Sequence, residues 1–125
     1  MRLVEKLLEN ARQDTQLLIK NDKQGDRFER PRDVEFALKT SDIKVAETVC
    51  SFINDNQYGI SKMTAKSGDV YWVLCTINMP TTQHLLCSVS AFMMYIAELF
   101  KAEYDGWGCI LQTDSSETSQ TKGTK

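Results

Sequence analysis

From Asp33 onward the spacing of apolar residues alternates between period two and period 3.6 in the order strand, helix, strand, strand, helix, strand, which leaves few folds open. Val34, Phe36 and Leu38 alternate with Asp33, Glu35 and Ala37, as in a strand with one buried face. Thr40-Ser41-Asp42 then supplies side-chain oxygens to cap a helix start, and Ile43, Ala46, Val49, Phe52 and Ile53 mark its apolar side as far as Asn54 or Asn56. Residues 58–65 and 70–79 are rich in β-branched and aromatic side chains, and Lys66-Ser67-Gly68-Asp69 between them is a hairpin-type connection, so the two segments should pair antiparallel. Pro80-Thr81-Thr82 closes the second strand and offers hydroxyl caps to a long helix over 83–100 or 101, with Leu85, Leu86, Val89, Phe92, Met93, Ile96, Leu99 and Phe100 as its inner stripe. Residues 103–111 read as a last strand interrupted by glycines.

This order is the split βαβ arrangement of a ferredoxin-like α+β fold: a four-stranded antiparallel sheet with two helices on one face. Ahead of it, Leu3, Val4, Leu7, Leu8, Ala11, Thr15, Leu18 and Ile19 follow i, i+3, i+4, i+7 spacing and predict an additional amphipathic helix of about five turns. Asn21 to Asp26 is polar and aperiodic, and Pro31 disfavours helix in its predecessor, so this stretch reads as a linker. After Leu111 the chain holds no apolar side chain to offset ordering entropy, and a disordered tail is expected. The resulting division is 1–26 helix and linker, 27–112 core domain, 113–125 tail.

One domain of this length, with 42% hydrophobic residues, can bury a core without disulfides or metal. Seventeen acidic and fifteen basic side chains leave a net charge of −2 and no basic stripe, which argues against direct nucleic-acid binding. The four cysteines, at 50, 75, 87 and 109, form no CxxC pair and read as buried, reduced thiols, with no metal site and no cofactor expected. Charges throughout residues 2–14 and the lack of an apolar run of about 20 residues point to a cytoplasmic protein away from membranes. His84, the only histidine, has no patterned partner and reads as a surface residue, and no HExxH, GxSxG, Walker or dinucleotide motif is present. A non-enzyme follows.

Glu103-Tyr104-Asp105-Gly106-Trp107-Gly108, directly after a long helix and at the end of a βαββαβ pattern, resembles the RraB family, regulators of ribonuclease E activity. Ser67-Gly68-Asp69 before an apolar strand is a second, weaker match, and the likeness extends over about 28–112. The resemblance implies a ferredoxin-like fold and a protein that binds the endoribonuclease and inhibits it without degrading RNA. Better-known members are strongly acidic, whereas this chain is near neutral with a Ser-, Thr- and Lys-rich tail, and its N-terminal helix lies outside the shared signature.

Within that signature Tyr104, Gly106 and Gly108 are read as structural, since glycines let a strand bulge or another backbone approach. Asp105 and Trp107 could instead face a partner, although packing at an edge strand is the first reading. By strand parity Glu35, Glu103 and Asp105 should share the open face of the sheet, where an acidic patch would suit a basic protein segment; a solvated face is the bland alternative. The partner-binding candidates are therefore Glu35, Glu103, Asp105 and Trp107, with a protein partner such as ribonuclease E and a monomer or weak homodimer as the state of the chain. RNA binding on the open sheet face, or a small-molecule site on the same fold, is the alternative function. Tyr71 to Ile77 is apolar on both faces, so a cover over the open face is expected, the N-terminal helix in preference to a second copy.

Overall fold

A computed structural model describes residues 2–114 of the chain. The elements run α1 (Leu3–Lys23), β1 (Arg32–Thr40), α2 (Ile43–Asp55), β2 (Ile60–Met63), β3 (Tyr71–Met79), α3 (Gln83–Phe100) and β4 (Glu103–Cys109). The strands form one antiparallel sheet in the order β2-β3-β1-β4, a ferredoxin-like arrangement with an extra N-terminal helix.

Period two puts Val34, Phe36 and Leu38 of β1 on the helix side, where all three are fully buried beside Val73 and Cys75 of β3. Above them lie Ala46, Val49 and Ile53 of α2 and Leu86, Met93 and Ile96 of α3. Asp42 caps α2 by accepting from the Lys44 amide at 2.8 Å, as its sequence suggests. The hydroxyl cap expected for α3 is not made: Thr82 occupies the N-cap without a side-chain bond, and Thr81 is buried. β2 is shorter than the pattern predicts because Tyr58 and Gly59 still belong to the turn after α2, where Tyr58 N–H donates to the Ile53 carbonyl.

Two expectations need correction. The first concerns α1, which does not cover the open face. It runs antiparallel to α3 on the helix side, tied by Lys6–Glu98 at 2.8 Å, Asn10–Ser90 at 3.2 Å and Gln83–Thr15 at 3.4 Å. Its inward residues are Asn10, Asp14, Leu17, Leu18 and Asn21, a face turned away from much of the apolar stripe, so Val4, Leu8 and Ile19 are left exposed. Among the described residues nothing lies on the far side of the sheet, where Trp72, Leu74 and Thr76 of β3 are half-buried.

The second concerns the segment read as a linker. Asp26 and Arg32 form a buried ion pair, both carboxylate oxygens accepting from Nη1 at 2.7 and 2.8 Å. Asp26 also accepts from the Gln112 amide, and Arg32 donates to the Arg27 and Arg30 carbonyls. The chain between α1 and β1 is thus wrapped around a charged guanidinium, satisfied on every side that burial would otherwise leave costly. The expected tail begins with Thr113 and Asp114, the latter held by Arg27 and Arg30; the rest of that expectation, 115–125, lies outside the described residues.

Candidate functional site

Simple alternation from Glu103 would put Trp107 on the same side as Glu103 and Asp105. β4 breaks that alternation. Leu38 pairs with Tyr104 and Phe36 with Trp107, so three steps along β4 match two along β1, and the extra residue is a bulge. Gly106, at φ 92, takes the backbone conformation that the bulge needs and that a side chain would strain. Beyond the bulge the parity is reversed, which turns Tyr104, Trp107 and Cys109 all toward the helices.

Trp107 is therefore 2% exposed, and its indole cannot meet a partner at the surface. Its Nε1–H donates to Asp14 Oδ1 at 3.0 Å, while Asn10 donates to the other oxygen of that carboxylate at 3.4 Å and to Ser90 Oγ at 3.2 Å. Ser90 in turn shares a 2.9 Å hydrogen bond with the Tyr104 hydroxyl, whose pKa burial pushes far above the ordinary tyrosine value. Tyr104 and Trp107 thus dock α1 and α3 onto the sheet through a buried polar network. Sequence reading missed Asn10 and Asp14, four residues apart on α1, and Ser90 on α3; polar residues on a helix read by default as solvent-facing.

On the opposite side of the sheet the register builds three cross-strand rows: Ile60, Thr76, Glu35 and Gly108; Lys62, Leu74 and Ala37; and Trp72, Lys39 and Glu103. Glu35, Glu103 and Asp105 are all exposed. Lys39 Nζ lies 3.8 Å from Glu103, 3.6 Å from Asp105 and 5.5 Å from the centre of the Trp72 ring, so one cation partly neutralises two of the carboxylates. Asp33 accepts from Asn78 at 3.0 Å. The Glu35 carboxylate makes no hydrogen bond or ion pair among the described residues, and Gly108 beside it leaves the neighbouring position without a side chain. Lys39 was not singled out by sequence, although the parity of β1 places it with Glu35.

A protein-family model described as "Regulator of ribonuclease activity B" matches residues 11–109. The chain belongs to the RraB family. The match begins inside α1, well ahead of the 28–112 expected from the signature, and it takes in Asp14 together with Trp107, both ends of the bond that docks the helix. RraB proteins are regulators of ribonuclease activity, so a regulatory role toward a ribonuclease is the family's function. None of the curated proteins searched matches the chain.

Other features of this RraB member offer less chemistry. An open cleft of ≈ 350 Å³ between α1 and β4 is lined by Lys6, Glu9, Asn10, Gln13, Met94, Tyr104, Asp105 and Gly106, with Lys6 already bound to Glu98. Among the described residues no group of His, Cys, Asp or Glu could hold a metal ion. His84 is exposed, and the four cysteines are free thiols, two of them buried and two half-buried. By length and composition α3 could cross a membrane, yet Leu86, Ser90, Met93, Ile96 and Ala97 are buried inside the fold.

Proposed function

We propose that this RraB member binds a ribonuclease through the open face of its sheet and lowers RNA cleavage by occupying the enzyme, with no catalysis of its own. The observation that carries this reading is the uncovered β1–β4 surface on which Glu35, Glu103 and Asp105 stand together beside the half-buried Trp72 and Leu74. Fixed carboxylates around an apolar centre favour a basic segment with apolar side chains, by complementarity and faster encounter more than by raw affinity. The segment meant is one on ribonuclease E or an equivalent endoribonuclease, and the setting is the cytoplasm.

Direct RNA binding is disfavoured on the same surface. Four carboxylates at Asp33, Glu35, Glu103 and Asp105 outnumber the lysines at 39 and 62, and Trp72, the aromatic available for stacking, lies under Lys39. Calorimetric titration of the full chain into purified ribonuclease E, with a gel shift against its RNA substrate run in parallel, tests the reading. Binding to the enzyme with no shift of the RNA supports it. A shift of RNA by this chain alone, or no heat with the enzyme, removes it.

A further inference from the structure

The α3 helix presents an outward stripe of Leu85, Phe92, Tyr95 and Leu99, every one exposed, and its neighbour α1 adds Val4 and Leu8 alongside the C-terminal half of α3. Leu8 is 67% exposed and Leu99 58%, unusual for leucines on adjacent helices. The stripe holds no Asp, Glu, Lys or Arg: Glu98, the one such residue in α3, is turned to the side and taken by Lys6. Along α3 there is therefore no charge with which to select a basic or an acidic partner, and the α1 charges beside Val4 and Leu8, Glu5 and Arg12, are already paired with Arg2 and Glu9.

Its layout is its own complement. Leu85 and Leu99 lie seven residues on either side of Phe92, so an antiparallel copy related by a two-fold axis near Phe92 brings each Leu85 to the other's Leu99. Taking ~200 Å² for a large apolar side chain, six of them about half exposed present roughly 600 Å². That is the upper end of what a monomer leaves bare and approaches the ≈ 800 Å² per partner of a stable interface. From this geometry we propose that the outer face of α3 and α1 is a docking surface for a second copy of the chain, forming a two-fold dimer through antiparallel α3 helices. The open sheet face lies on the other side of the sheet and stays free in both copies, so the dimer does not depend on the ribonuclease reading.

Sedimentation velocity of the full chain at micromolar concentrations should give a species of twice the 14.2 kDa monomer. Leu99→Glu and, separately, Leu8→Glu change residues that are exposed in one copy, and circular dichroism should show each variant folded. Leu99→Glu should weaken the dimer by about 100-fold or more, because a two-fold contact feels the change twice. Leu85→Cys mixed with Leu99→Cys should crosslink between chains under mild oxidation, and far more than either variant alone. A monomer at all concentrations overturns the proposal, including one that sediments with phosphatidylcholine vesicles, as does a dimer insensitive to Leu99→Glu or a Leu99→Cys variant that crosslinks best with itself.

Discussion

The indole Nε1 of Trp107 and the carboxylate of Asp14 meet at 3.0 Å across 93 positions of sequence, joining the last strand to the first helix. A fully buried carboxylate is costly unless its oxygens are bonded, and this one is held by Trp107 and Asn10. The signature strand is thereby a clamp for α1, which gives the tryptophan of Asp105-Gly106-Trp107-Gly108 a structural duty on the helix side, away from the carboxylates that the same strand presents to solvent.

Trp107→Phe keeps an aromatic ring but removes the N–H donor and part of the buried indole's volume. Leaving a buried oxygen short of a partner costs about 1–3 kcal/mol, and the urea unfolding midpoint should fall accordingly. Asp14→Asn should cost a similar amount. A double-mutant cycle with both changes should give clear coupling, whereas additive losses would show that the bond contributes little.

The Asp26–Arg32 pair makes a larger demand. Arg32→Met leaves Asp26 as an uncompensated buried charge, for which about 3–5 kcal/mol is expected. Combining it with Asp26→Leu should recover part of that loss, since an apolar pair has no charge to desolvate. Chemical denaturation of the three variants measures both effects.

Much of this was legible from spacing alone. The alternation of Val34, Phe36 and Leu38 and the helical stripe of α2 each encode one period and one buried side, and the strands and helices fall close to where those periods put them. Parity also placed Glu35, Glu103 and Asp105 on exposed positions of one side. Trp107 escaped because a bulge adds one residue and reverses the side, and nothing in the composition of β4 beyond Gly106 announces at which step it falls. The position of α1 escaped for a different reason: its inner face is half polar, so the apolar stripe named the wrong surface as the buried one. Buried pairs such as Asp14 with Trp107 exist only in three dimensions.

Alkaline stability follows from three buried acids. Burial raises the thiol pKa of Cys75 and Cys109 above the ordinary value of 9.0 and the phenol of Tyr104 above 10.0. Each group then holds its proton more tightly in the folded chain than in the unfolded one. Their stabilising effect is complete below pH of about 8.5 and is lost as the unfolded groups ionise above it. Thermal unfolding should show a midpoint that is flat near neutrality and falls steadily above pH of about 9, and native Cys75 and Cys109 should resist alkylation that reaches Cys50 and Cys87.

Gly59 tests how tightly β2 sits. A Cβ there would collide with Cys75 Sγ and press on Ile77, so Gly59→Ala should cost about 1–3 kcal/mol through overpacking. Hydrogen exchange should then quicken first along Ile60–Met63, the short edge strand, before the rest of the sheet.

The regulatory reading rests on the open face, and the rate of RNA cleavage by purified ribonuclease E in the presence of this protein examines it most directly. Wild-type chain should lower that rate with a saturable dependence on concentration. The double variant Glu35→Lys with Glu103→Lys, changed only at exposed positions, should lose most of the inhibition, by about tenfold or more in the concentration needed, while Trp107→Phe, if folded, should retain it. Unaltered cleavage with the wild-type protein, or full inhibition by the Glu35→Lys and Glu103→Lys variant, would contradict the account.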